Sequence, residues 1–178
     1  MINVFLILLV IFLLLVLSMI WPPDSPWAPW WRTSGRIARA MCKLAKVTKK
    51  DKIFDLGSGD GTALIIAASE FGAKGVGIEI DPLRASFSKT RVKLSKVENK
   101  VQILQSNFFD VPISDASVVF VYLVPKALLR LKPKFAAELK VGTRIISYRY
   151  KIPYLPLIEK DDVHQLYLYR IPKNFVSA

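Results

Sequence analysis

The stretch Phe54-Asp55-Leu56-Gly57-Ser58-Gly59-Asp60-Gly61-Thr62 places three glycines at alternate positions directly after an apolar run. One acid precedes the glycines and another lies among them. Glycine lets the backbone approach a ligand, and a helix start behind the loop turns N–H groups towards it. No GxxxxGK[ST] pattern occurs in the chain, so this is not a phosphate loop of that kind. A dinucleotide loop takes GxGxxG, and here Thr62 stands where the third glycine belongs. The carboxylates of Asp55 and Asp60 repel a pyrophosphate but suit a head group bearing an ammonium and a sulfonium, as S-adenosylmethionine does. Glu79, 18 residues beyond Gly61, is placed to accept hydrogen bonds from ribose hydroxyls, and Asn107 with Phe108 offers an amide and an apolar face for adenine. The expected cofactor residues are thus Asp55, Gly57, Ser58, Gly59, Asp60, Gly61, Thr62, Glu79, Asn107 and Phe108.

These residues need strand ends to hold them, and the hydropathy pattern supplies them. Residues 52–57, 75–80, 101–107, 116–124 and 143–152 read as strands, and 163–171 as a last one. Helical spacing covers 33–47, 62–72, 82–97 and much of 126–139, the last expected to break near Pro133. Alternating strands and helices imply a doubly wound, mostly parallel α/β sheet. The segment 153–162 is too short for a helix, so the C-terminal edge of the sheet is expected to be abbreviated.

The first residues are of another kind. Val4–Ile20 carries no charge, and with its flanks it predicts a transmembrane anchor over 1–21. A basic n-region and a small-residue cleavage site are both missing, which argues against a cleaved signal peptide. Four prolines and four tryptophans over 21–31 predict a stiff interfacial linker, 22–32, ahead of a domain over 33–178. Between Arg32 and Lys52 eight basic residues face one acid, Asp51, within a chain of net charge +12. The positive-inside rule then predicts a single-pass membrane protein with its N-terminus out and its domain on the cytoplasmic side. The basic cluster is expected against anionic headgroups rather than nucleic acid, since no nucleic-acid-binding motif accompanies it. Cys42 is the only cysteine and His164 the only histidine. No metal site is expected, and His164 is read as an ordinary residue of the last strand.

The motif "FDLGSGDG", followed by "GIEID" and "SNFFD", resembles the class I S-adenosylmethionine-dependent methyltransferases. More narrowly, "KLAKVTKKDKIFDLGSGDG" together with "VVFVYLVPKALLRLKPKFAAELKVGTRIISYRYKIP" is similar to a group of membrane-anchored protein-lysine methyltransferases. Mitochondrial members of that group modify the ATP synthase and the adenine nucleotide translocase. The resemblance implies a Rossmann-like methyltransferase sheet and a lysine acceptor in a protein, with a membrane protein one option. It also implies that the end of the fourth strand faces the transferred methyl, which makes Tyr122 the first candidate for orienting the acceptor amine. Tyr148 and Tyr150 come next, and Asp110 is a further option for contacting an ammonium. Two other readings stand beside this one: a lipid or other membrane small molecule as acceptor, and a cofactor-binding module without catalysis.

Overall fold

The computed structural model describes residues 4–20 and 32–175. The linker expected over 22–32 therefore lies outside the described residues except for Arg32. Helix α1, Val4–Ile20, is 17 residues long, and every side chain from Val4 to Leu15 is exposed. It is about 25 Å long at 1.5 Å per residue. No helix among the described residues is long and apolar enough to cross a membrane. The transmembrane helix expected over 1–21 is thus not supported by the described residues.

The rest of the chain alternates as its hydropathy demands. In order come α2 (Gly35–Leu44), β1 (Lys52–Leu56), α3 (Thr62–Glu70), β2 (Lys74–Glu79), α4 (Pro82–Leu94) and β3 (Val101–Gln105). They are followed by β4 (Val118–Val121), α5 (Pro125–Glu138), β5 (Arg144–Tyr148), β6 (Leu157–Asp161) and β7 (Leu166–Arg170). The strands form one seven-stranded sheet in the order β3-β2-β1-β4-β5-β7-β6. The first five are parallel, and β7 runs antiparallel to both β5 and β6.

Period-two alternation sorts each strand between two apolar layers. Ile53, Val118, Phe120 and Ile146 pack towards α2, α3 and α4. Phe54, Leu56, Val119, Val121 and Ile145 pack on the opposite face with Leu128, Leu131 and Phe135 of α5. Each such side chain taken out of water contributes about 1.5–3 kcal/mol. Helix α3 is buried all along Thr62–Ala68 because it is covered on its outer side by α2. The basic side of α2 stays outside, with Arg39 forked onto Glu70 of α3 at 2.7 to 3.0 Å. At the opposite end of the sheet from the glycine loop, Asp51 accepts from Thr48 N and Ser117 Oγ, both at 2.7 Å, and pairs with Arg144. Burial alone would raise its carboxyl, but Ser117, Thr48 and the Arg144 charge together hold it below the usual range.

Three expectations need correcting. Helix α5 runs through Pro133 without a break, because the ring sits on the exposed side while Leu128, Leu131 and Phe135 hold the helix to the sheet. The C-terminal edge lacks a helix between β5 and β6, as expected, but it is not short of a strand: β6 and β7 form a complete hairpin. His164 lies in the turn of that hairpin rather than in a strand, and its Nδ1 sits 2.7 Å from Asp161 Oδ2.

Candidate active site

The order of the sheet reverses between β1 and β4, and a crevice opens there at the strands' C-terminal ends. Parallel register brings the site together. Leu56 is level with Ile78 and with Val121, and Val121 with Ser147. One step on, Gly57, Glu79, Tyr122 and Tyr148 follow at neighbouring strand ends. The cleft has a volume of about 830 Å³ counting its open mouth.

Of the residues expected to hold the cofactor, Asp55, Gly57, Ser58, Gly59, Asp60, Thr62, Glu79 and Phe108 line this cleft, as does Tyr122. Gly61 and Asn107 do not. Gly61 caps α3 at φ +75°, and a Cβ there would come within 2.3 Å of Ser88 Oγ on α4. Its role is to let two helices meet. Asn107 turns inward along its own chain, where its Oδ1 accepts from Phe109 N at 3.1 Å. The cleft also takes in Arg32, Thr33, Met41, Ile80, Arg84 and Leu123, none of which the sequence singles out. Arg32 and Thr33 arrive from just ahead of α2, a proximity that only the tertiary fold creates.

The backbone of the glycine loop is already committed. Gly57 N and Ser58 N donate to Ile78 O, Gly61 N donates to Ser58 O, and Thr62 N donates to Asp60 Oδ1. Gly59 N donates to Glu79 Oε2 at 2.8 Å, while Asp81 N reaches Glu79 Oε1 at 3.0 Å. A loop that cradles phosphate keeps such N–H groups pointed at the ligand. Here they are spent inside the protein, and what faces the cleft is carboxylate. Ser58 Oγ is buried without a hydrogen-bond partner, a polar atom left for a ligand to satisfy. Gly77 supports the loop from below: a Cβ there would lie 2.7 Å from Ser58 Oγ and 2.7 Å from Ile103 Cδ1.

Two acids differ in what they can offer. Asp60 accepts from Arg32 Nε at 2.7 Å and pairs with Arg91 at 2.8 Å. Its charge is thus balanced within the protein, unlike the free counter-ion that the sequence suggests. Asp55 is in the opposite position: burial, then the neighbouring charges of Glu79 and Asp60, pushes its carboxyl up to about 7. A cation entering the cleft relieves that repulsion. This donor set fits a cationic, adenosine-bearing ligand: carboxylates at the loop, Glu79 beyond it, and apolar Ile80 and Phe108 at the far wall.

Tyr122 and Tyr148 meet with ring centroids 4.4 Å apart, tilted by 50°. Burial raises the Tyr122 phenol above its ordinary value, although the charge of Arg149 pulls the other way. The hydroxyl therefore stays protonated near neutrality and can orient an amine without acting as its base. Tyr150 is exposed on the turn after β5, and Asp110 is exposed in the loop after β3. Neither lines the cleft. No cluster of metal-ligating side chains occurs among the described residues.

Residues 55–158 match the family described as the ANTKMT methyltransferase domain. A protein-lysine N-methyltransferase of Saccharolobus islandicus is 35% identical over 159 residues, covering 85% of this chain and 97% of the relative. The adenine nucleotide translocase lysine N-methyltransferase of Mus musculus is 32% identical over 103 residues, which is 57% of this chain and 44% of that protein. Among solved structures, an RNA methyltransferase from Salinibacter ruber bound to S-adenosyl-L-homocysteine is similar, with a TM-score of 0.80 and 33% identity. The match covers 83% of this chain and 98% of that one. The seven-stranded sheet, its acid-lined glycine loop and these matches agree: the chain belongs to the S-adenosylmethionine-dependent protein-lysine methyltransferases of the ANTKMT methyltransferase-domain family.

Proposed function

We propose that the enzyme methylates the side-chain nitrogen of lysine in a protein, with the acceptor entering at Tyr122. The lysine acceptor is supported by the similarity to the Saccharolobus islandicus protein-lysine N-methyltransferase, while the committed loop backbone beside two buried carboxylates, Asp55 and Glu79, selects a cationic cofactor head. Asp55 faces the positive end, Ser58 Oγ gains a partner, Glu79 accepts from the ribose, and Ile80 and Phe108 flank the adenine. S-adenosylmethionine supplies an activated methyl group, so the protein contributes mainly position and electrostatics. A lysine ammonium has no lone pair and must lose its proton first. The neutral Tyr122 hydroxyl accepts a hydrogen bond from the amine N–H and aims the lone pair along the cleft. The open mouth lets the proton leave to water.

The enzyme is further proposed to be held at a membrane by residues 1–21, with its domain on the cytoplasmic side. Support comes from the exposed apolar surface of α1 and from the eight basic residues over 32–52. A chain lacking residues 1–21 is expected to leave the membrane fraction on cell breakage; co-sedimentation equal to the full chain would remove the claim.

A second reading has support of its own, because one similar structure is described as an RNA methyltransferase and this chain is strongly basic. Against it, the strand end reads Val-Tyr-Leu-Val-Pro over 121–125, not the Asn/Asp-Pro-Pro-Tyr/Phe pattern of enzymes that methylate base amines. Methyl-labelled cofactor added with the enzyme to solubilised membranes and total RNA separates the readings. Label is expected in the protein fraction. Label confined to the RNA or to the lipid extract would assign the acceptor to that class instead.

A further inference from the structure

Strand β5 ends in an unusual turn. Tyr150 N donates to Tyr148 O at 2.9 Å, closing a three-residue turn with Arg149 at its centre at φ +66°. A turn of this hand is rare and strained for a residue with a side chain. Arg149 N is tied to Gln165 O at 2.8 Å, and Gln165, opposite it, is also left-handed at φ +55°. Ser147 Oγ holds Tyr150 O at 2.5 Å. The backbone is therefore fixed in a form that glycine would adopt more easily, and yet it carries an arginine.

The result of the strain is a placed charge. Arg149 Cζ lies 5.8 Å from the Tyr122 ring centroid and 5.6 Å from that of Tyr148. Open faces on an aromatic pair attract a cation. These rings already hold one, so they are no cage for a substrate ammonium. A second positive charge arriving at Tyr122 meets a like charge within several ångströms, and this disfavours the protonated amine over the neutral one.

We propose that Arg149 is a positioning residue for the acceptor: held over Tyr122 and Tyr148, it disfavours the lysine ammonium at the seat beside Tyr122 and so favours the neutral, nucleophilic amine. This rests on the reading of lysine as acceptor. The amine gives up its proton to water, and its lone pair then forms the new bond to the methyl carbon. The carbon–sulfur bond breaks with its electron pair left on sulfur, which becomes a neutral thioether. Nitrogen carries the positive charge away and loses a proton to water in turn.

The pH dependence of kcat tests this. Methyl-lysine formation is followed from about pH 6 to about pH 10 with labelled S-adenosylmethionine and solubilised membrane protein. The acid limb of wild type reports loss of the amine proton in the bound complex. The Arg149 guanidinium is exposed to water, so Arg149→Gln is expected to move that limb upward by up to about half a pH unit, with kcat up to about threefold lower near neutrality and equal at high pH. Arg149→Lys is expected to keep the wild-type limb. Arg149→Gly, which relieves the turn and so preserves the fold, is expected to shift the limb as Gln does. An unmoved limb in Gln and Gly, with kcat lowered evenly or raised, would overturn the proposal. So would a raised KM with an unmoved limb, which would make Arg149 a binding group for an anionic part of the acceptor. Absence of methyl-lysine with wild type would instead fail the lysine reading itself.

Discussion

Replacing Asp55 with asparagine is expected to strengthen the empty fold at neutral pH while weakening S-adenosylmethionine binding about 100-fold. Both effects come from one buried carboxyl, pushed up to about 7 by burial and then by Glu79 and Asp60. Its folded-state value lies above its unfolded one, so its stabilising contribution is complete below about pH 4 and is lost as pH rises through about 7. Three units correspond to at most about 4 kcal/mol, and the isosteric amide removes that loss. Denaturant midpoints at pH 8 should therefore be higher in Asp55→Asn than in wild type, and should converge near pH 4.

Binding runs the other way. A cation in the cleft favours the ionised carboxylate, so wild-type affinity should climb with pH up to about 7 and then level off. Below that, each pH unit should cost up to about tenfold, and binding should release a proton. Asp55→Asn should be weak and flat across the same range. Calorimetry in buffers of different ionisation enthalpy reads both quantities. A wild-type affinity that ignores pH, or an asparagine variant that binds normally, would show that Asp55 does not meet the cofactor's charge.

Glu79→Ala is expected to reduce cofactor affinity more than 100-fold and to destabilise the protein as well. Glu79 is 5% exposed and holds both Gly59 N and Asp81 N, which tie the loop after β1 to the start of α4. Removing the carboxylate leaves two N–H groups unpaired, at about 1–3 kcal/mol each where they stay dry. It also removes the acceptor for the ribose hydroxyls. Glu79→Gln keeps one acceptor oxygen but turns an NH2 against a backbone donor, so it should fall between alanine and wild type. Thermal denaturation with and without S-adenosylmethionine distinguishes the two losses. An alanine variant that binds within about threefold of wild type would deny Glu79 both roles.

Much of this site can be read from the chain because it is local. Asp55 and Glu79 lie at the ends of strands with an obvious apolar run, the glycines follow the first of these strands, and the parallel sheet aligns such strand ends by construction. What escapes the sequence is long-range or lacks pattern. The Arg32–Asp60–Arg91 triad joins residues 28 and 31 positions apart, and it converts Asp60 from a counter-ion into a clamp on the segment before α2. Strand β6 is invisible to periodicity because Leu157 through Lys160 are all exposed at the sheet edge, so neither face is selected for apolar residues. Pro133 reads as a helix breaker, yet its ring lies on the solvent side of α5, where water can replace the lost bond. Arg149 carries no signal at all, since a left-handed arginine looks like any other until its turn is seen.

The central claim is that this cleft passes a methyl group to lysine nitrogen. The most direct test is to incubate the full chain with methyl-labelled S-adenosylmethionine and solubilised membrane protein, hydrolyse the protein in acid and identify the labelled amino acid. Methyl-lysine is predicted with wild type, and about 100-fold less of it with Glu79→Ala at sub-saturating cofactor. Label recovered in another amino acid, or undiminished with Glu79→Ala, would contradict the account.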